Sequence, residues 1–299
     1  MNILLLGANG QVGWELRRAL APLGALTALD RSGANFERPD SLAEVVARHR
    51  PDAIVNAAAY TAVDRAEGDV ARARCVNAEA PAVLAAAAAR LGAWLVHYST
   101  DYVFDGNKPA PYVETDPTDP ASVYGATKLE GERAIAASAC RHLILRTSWV
   151  FAARGANFAK TMLRLARERD ELKVVADQIG APTGAEFIAD ATALMLYRLA
   201  HDAGLAADAS GIYHLSGGGA VSWYDYARFV IERARAAGAP IKVEPARVLP
   251  IATADYPTPA RRPANSRLDC SKIGSIFGIY APAWETQVAR LVDELVAPL

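Results

Sequence analysis

Asn2-Ile3-Leu4-Leu5-Leu6-Gly7-Ala8-Asn9-Gly10-Gln11-Val12-Gly13 decides the fold. Residues 2–6 form a short apolar run, the pattern of a strand buried on both faces of a parallel sheet. Glycines 7, 10 and 13 follow, then a segment with an apolar stripe at Leu16, Leu20 and Leu23 that Pro22-Leu23-Gly24 closes. Strand, glycine turn and helix in that order give each glycine a task. Gly7 permits the tight turn, and Gly10 lets backbone amides, those of Gln11 and Val12 among them, approach a diphosphate at the helix N-terminus. Gly13 lets the helix pack close to the strand. The expected fold is α/β: a Rossmann-type, doubly wound parallel sheet with a dinucleotide at its glycine turn.

The next segments extend that site. A second strand over residues 25–29 ends in Asp30-Arg31. An acidic residue about 20 positions after the glycines suits a ribose hydroxyl, and an adjacent arginine suits a 2′-phosphate. The two pull in opposite directions, so use of both NADH and NADPH is expected. Asn35 and Phe36 are candidates to flank the adenine. A third strand ending at Asn56 runs into Ala57-Ala58-Ala59-Tyr60-Thr61. Small residues at a strand end let backbone lie against a flat ligand, in the crevice beyond the carboxyl ends of the strands. Ala59, Tyr60 and Thr61 therefore join the cofactor candidates.

Trp94-Leu95-Val96-His97-Tyr98 is a fourth buried strand, emerging at Ser99-Thr100-Asp101. Downstream, Tyr124-Gly125-Ala126-Thr127-Lys128 reads as helix, with Asp119 as its cap and Pro120 at its first position. Tyr124 and Lys128 then fall one turn apart on one face. A phenol ionises near pH ~10, and a fixed ammonium a few Å away favours the phenolate. Thr100 is suited to hydrogen-bond a carbonyl held between it and Tyr124.

Composition limits the remaining classes. Hydrophobic residues make up 52% of the 299-residue chain and charged ones 22%, which suits a packed globular protein. A net charge of −1 offers no general attraction for nucleic acid or an anionic membrane surface. No apolar run reaches the ~18 residues of a spanning helix. Cys75, Cys140 and Cys270 are odd in number and far apart, against a disulfide framework or a cysteine metal motif, and the five histidines lack metal-ligand spacing. A cytoplasmic protein is expected.

The later half reads as a smaller α/β lobe, with residues 1–150 as the dinucleotide domain and 151–299 mainly the substrate lobe, some later segments returning to the first. Helix is expected from Asn157 to Arg169, a rigid loop over 178–184, and a helix opening at Trp223. Pro257 to Asn265 carries Arg261 and Arg262 on a proline-fixed loop, suited to a diphosphate.

With these motifs assembled, the chain resembles the extended short-chain dehydrogenases/reductases: the glycine loop, Asn56-Ala57-Ala58, Ser99-Thr100 and Tyr124 to Lys128 stand in family order. Within them it is similar, over essentially the whole length, to the dTDP-4-dehydrorhamnose reductase family. That likeness rests on Gly10 to Leu16, His97 to Phe104, Arg146 to Val150, Asp177 to Gly184 and Tyr256 to Pro263. It implies NADPH- or NADH-dependent reduction of the 4-keto group of a dTDP-linked 6-deoxy sugar, the last step toward dTDP-L-rhamnose for cell-surface polysaccharide. It implies Thr100, Tyr124 and Lys128 as the catalytic set and Tyr98 at the cofactor. Thr100, Asp101, Trp149, Asn157, Arg261 and Arg262 are implied at the substrate. Glu15, Glu186 and Glu294 match positions where some members hold a magnesium ion between subunits, and a homodimer is compatible with that.

Two other readings stand beside it. A sugar-nucleotide dehydratase or epimerase of the same superfamily is one, but dehydratases carry Asp-Glu after the threonine, and here Tyr102 follows Asp101. A non-catalytic dinucleotide-binding regulatory subunit is the other, and it would not need Thr100, Tyr124 and Lys128 together.

Overall fold

The structure is a computed structural model and describes residues 1–297. Its strands are β1 (Asn2–Leu6), β2 (Ala25–Leu29), β3 (Ala53–Asn56), β4 (Trp94–Thr100), β5 (Arg141–Thr147), β6 (Val150–Phe151) and β7 (Leu172–Val175). β8 (Ile179–Gly180), β9 (Thr183–Gly184), β10 (Gly211–His214), β11 (Val221–Ser222) and β12 (Val248–Ile251) complete the set. Six of them form a parallel sheet in the order β10-β5-β4-β3-β1-β2. The chain winds outward in both directions from β1, so a crevice opens where β1 and β3 lie side by side. Register brings the carboxyl ends level, Leu6 beside Asn56, Asn56 beside His97, and Thr100 beside Thr147.

Burial explains why this segment is the centre. Ile3, Leu4, Leu5 and Leu6 are fully buried, each worth about 1.5–3 kcal/mol relative to exposure. Alternate residues feed opposite faces: Ile3 and Leu5 join a core with the helix Ala185–His201, Leu4 and Leu6 one with the helices Pro39–His49 and Ala80–Leu91. A separate core holds Phe151, Met162, Leu163, Tyr226, Val230, Trp284 and Val288. The two-stranded sheets β7–β12, β8–β11 and β6–β9 accompany it. Segments past residue 150 serve both halves, since β10 is the edge strand of the large sheet and Ile273 and Phe277 lie in its core. No helix of the described residues is long and apolar enough to cross a membrane.

Two local expectations are corrected. The helix carrying Tyr124 begins at Val123, not Pro120, and runs to Ala136; its cap is Ser122, whose hydroxyl accepts from the Gly125 amide at 3.2 Å. The Val123 amide is taken by Glu67 Oε1 at 2.9 Å, so the first turn is satisfied without Asp119. Gly125 faces the Tyr102 carbonyl so closely that a Cβ would overlap it. Residues 178–184 are also not a plain loop, because β8 and β9 lie within them, pairing with β11 and β6.

Candidate active site

The glycine turn is built as its sequence requires. Gly7 has φ 81°, and a Cβ there would sit 2.6 Å from the Ala58 amide nitrogen; one on Gly13 would overlap the Gly7 carbonyl. Gly10 differs: its only near neighbour would be the Gly7 carbonyl at 3.4 Å. The helix Gln11–Leu20 that starts there has no side-chain cap. A helix end with free amides and an open approach is an anion site.

Beside it lies a cavity of about 330 Å³ lined by Gly7, Gly10, Asp30, Arg31, Asn35, Phe36, Ala59 and Tyr60, all of them expected from the sequence. Asn9, Ala34, Glu37, Ala57, Ala58, Arg72 and Val76 line it as well. Asn9 was not among the expected residues, although its place in the glycine loop is a signal that could have marked it. Glu37 and Arg72 sit in no motif, and only the fold joins them. Thr61 is exposed and outside the lining; Gln11, Val12 and the buried Gly13, in the helix's first turn, do not line it either. The uncapped helix, the open Gly10 and this cavity together fit a dinucleotide.

Asn77, in a π-helical turn over Cys75–Glu79, ties this region to the Tyr124 helix. Its Oδ1 accepts from the Tyr60 amide at 2.9 Å, and its Nδ2 donates to the Tyr60 carbonyl at 3.1 Å and to Thr127 Oγ1 at 3.2 Å. No sequence motif marks it.

Thr100 and Tyr124 meet at the end of β4. The Thr100 hydroxyl donates to Asp101 Oδ1 at 3.0 Å and accepts from the Tyr102 amide at 3.2 Å. Tyr102 packs edge-on to Tyr124, ring centres 5.5 Å apart. Burial pushes the Tyr124 phenol up to about 12, with the Thr100 hydroxyl pulling the other way. The expectation that Lys128 depresses the phenol is therefore not met. Lys128 is buried and turned elsewhere, its Nζ donating to the Tyr98 carbonyl at 2.6 Å and lying 3.1 Å from His97 Nε2. Burial brings Lys128 itself down to about 8, while Glu132 acts to raise it. Tyr98 thus meets Lys128 through its carbonyl; its ring lies in the sheet core, its hydroxyl on Thr192 at 2.8 Å. Asp101 is buried and pushed up to about 6, and its Oδ2 has no partner.

The substrate candidates divide. Trp149 adopts φ 47° and stacks on Trp223, ring centres 3.4 Å apart, with Gly180 so close that a Cβ would strike the indole. Asn157 caps the helix Phe158–Glu168, and its Nδ2 donates to Gln11 Oε1 at 3.1 Å and to the Ala152 carbonyl at 2.7 Å. It is a tie between the glycine-loop helix and the second core. Near it, Arg154 lies 4.0 Å over the Trp14 ring and Arg17 4.9 Å from the same ring. Arg262 is held by Asp64 at 2.6 Å, whereas Arg261 is exposed.

The chain has relatives among known proteins. The family model described as "RmlD substrate binding domain" matches residues 1–297. A dTDP-4-dehydrorhamnose reductase of Escherichia coli K12 is 52% identical over 299 residues, covering 99% of this chain and 98% of that protein. The chain belongs to the dTDP-4-dehydrorhamnose reductase family. Solved structures agree. A dTDP-4-dehydrorhamnose reductase from Clostridium acetobutylicum matches with a TM-score of 0.88 and 35% identity, covering 99% of both chains. One from Bacillus anthracis, in complex with NADP, matches with 0.87 and 34%, covering 98% of both.

For a chain of this reductase family, the magnesium expectation finds no support within one chain. Glu15, Glu186 and Glu294 do line one cavity, of about 240 Å³. Among the described residues, however, no group of three His, Cys, Asp or Glu is close enough to hold a metal ion. Arginines take up the charge instead, Arg18 lying 3.7 Å from Glu15 and Arg290 3.2 Å from Glu186. Burial, then the Glu186 charge, raises the Glu15 carboxyl.

Proposed function

We propose that the chain reduces dTDP-4-dehydro-L-rhamnose to dTDP-L-rhamnose with NADH or NADPH, in the cytoplasm. The substrate would lie between the dinucleotide domain, residues 1–150 with later returning segments, and the lobe formed mainly by residues 151–299. The observation that carries the reading is Thr100 beside a Tyr124 that keeps its proton at neutral pH, in a chain whose glycine turn opens on a cavity fit for a dinucleotide.

When bound, the reduced nicotinamide supplies hydride for C4 of the sugar. Tyr124 gives its phenolic proton to the alkoxide forming at O4. A phenol held at about 12 suits that task, since the reduction consumes a proton and a phenolate has none to give. Thr100 would orient the carbonyl oxygen with its hydroxyl, and Lys128, held here by the Tyr98 carbonyl and His97, would turn from them to hold the ribose hydroxyls. General acid assistance is worth roughly 10²–10⁴-fold, and holding the reactants in contact ~7–11 kcal/mol of the barrier.

Purified protein, NADH or NADPH and dTDP-4-dehydro-L-rhamnose, followed by loss of the reduced cofactor's absorbance, form the test. One cofactor oxidised per sugar consumed is expected; no oxidation with either cofactor overturns the reading. A homodimer belongs to the same proposal on resemblance alone, and sedimentation velocity separates it from a monomer.

A further inference from the structure

At the rim of the dinucleotide cavity two arginines from distant parts of the chain converge on one carboxylate oxygen. Arg31 Nη2 lies 2.7 Å from Glu37 Oε1. Arg72, from the helix Val70–Arg74, reaches the same oxygen through Nε at 2.7 Å and Nη2 at 2.6 Å. Glu37 is positioned by its own backbone, its amide donating to Asn35 Oδ1 at 3.0 Å. Arg72 also lies over the Tyr60 ring, 5.9 Å from its centre, with Asp69 at 3.8 Å. All three members of the cluster line the cavity together with Asp30.

Asp30 is engaged in its own turn. Its Oδ1 accepts from the Ser32 amide at 2.9 Å and hydroxyl at 2.6 Å, and Asn9 Nδ2 donates to Oδ2 at 2.8 Å. The carboxylate at the expected ribose position is thus fixed in place, and Arg31, the next residue, begins the cationic cluster. Two guanidinium groups aimed at one point form a cradle for a doubly charged oxyanion, the task for which arginine forks are suited. Here the occupant is a single negative charge from the chain itself.

We propose that Glu37 is an intramolecular stand-in for the 2′-phosphate of NADPH, and that its competition for Arg31 and Arg72 sets the balance between NADPH and NADH. The proposal rests on the reading of this cavity as the nicotinamide dinucleotide site. With NADH the Glu37 cluster stays closed, because a 2′-hydroxyl needs only Asp30. With NADPH the phosphate takes over both arginines, and the Glu37 carboxylate must swing away from a like charge. Glu37 therefore lowers NADPH affinity relative to NADH, and Arg72 raises it. Neither residue touches the reacting atoms.

Fluorescence titration of the full chain with NADPH and with NADH tests this without any turnover. In Glu37→Gln the ratio of the NADH to the NADPH dissociation constant should rise about tenfold over that of the unaltered chain. In Arg72→Gln it should fall by a similar factor. Both changes should shrink at ~1 M salt, where screening reaches only ~3 Å. A ratio that stays within about twofold in Glu37→Gln, or falls, overturns the proposal while leaving the cavity's assignment intact. Failure of the unaltered chain to bind either dinucleotide removes the assignment itself, and the proposal with it. The three side chains are solvent-accessible, 33–67% exposed, so the variants test charge rather than folding.

Discussion

Lys128 Nζ lies 3.1 Å from His97 Nε2, and this contact couples the protonation of the two. Asn56 is oriented by the Ala58 amide, which donates to its Oδ1 at 3.0 Å, leaving Nδ2 to face His97 Nδ1 at 3.0 Å. An amide NH₂ donates, so Nδ1 accepts and the ring proton resides on Nε2. That proton faces the Lys128 amine, a contact that disfavours the ammonium and acts in the same direction as the burial that brings Lys128 down to about 8. His97 is itself held well below its ordinary value, first by burial and then by Lys128, so it does not become a second cation.

Removing the Lys128 charge should consequently stabilise the protein while disabling it. Lowering from 10.5 to about 8 means that between those values the unfolded chain binds more protons than the folded one, so stability rises with pH through that window. The deficit is present in full below pH 8 and corresponds to at most about 3 kcal/mol. Lys128→Met should raise the denaturation midpoint at pH 7 by the equivalent of ~1–2 kcal/mol, after ~1 kcal/mol lost at the Tyr98 carbonyl. The gain should fade toward pH 10.5, while turnover falls at least ~100-fold. A variant less stable than the parent at pH 7 would contradict an ammonium destabilised by burial.

Tyr124→Phe separates proton donation from binding. Turnover should drop by roughly 10²–10⁴-fold, while the NADPH dissociation constant moves less than about threefold. Stopped-flow and equilibrium titration read the two quantities; unchanged turnover removes Tyr124 as the acid.

Asp101 gives a stability window of the opposite sense. Its carboxyl is pushed from 3.8 up to about 6 by burial, with the nearby Ser266 and Thr100 hydroxyls opposing. A raised folded-state value gives stability that is complete below pH 3.8 and lost as pH climbs through 6. Asp101→Asn should therefore be more stable than the parent above pH 6, by ~1–3 kcal/mol, and converge on it near pH 4. Denaturant midpoints measured across that range check it.

The buried pair Glu132–Arg146 should behave as a unit. Nη2 of Arg146 lies 2.6 Å from Glu132 Oε2, with both side chains no more than 3% exposed. Glu132→Gln strands a guanidinium that already has Nη1 without a partner, and should cost ~3–5 kcal/mol. Adding Arg146→Met should recover most of the loss. Equal stability of the single and double variants in chemical denaturation would count against this.

The sheet and the glycine turn were legible because each depends on local chemistry: an apolar run, then glycines where a Cβ would overlap backbone. Tyr124 and Lys128 were legible through helical spacing, although the helix start was not, since Ser122 rather than Asp119 caps it. What Lys128 touches was hidden, because spacing gives a face and not the depth of burial. Glu37, Arg72, Asn77 and Asp64 were hidden for another reason. Each acts by meeting a residue far away in sequence, which only the parallel crossovers bring near. The carboxylates at 15, 186 and 294 show the reverse, a correct grouping in space whose chemistry is altered by arginines that no pattern announced.

Trp14 lies between Arg17 of its own helix and Arg154, from the loop that Asn157 ties to Gln11. Of the five tryptophans, Trp94 is in the sheet core and Trp149, Trp223 and Trp284 belong to the aromatic packing of the second core. Trp14 alone takes a cation from each side of that junction, which makes it a built-in optical gauge. Its emission, isolated by replacing Arg154 with Ala and comparing spectra, registers how closely the two parts of the molecule sit without any attached label.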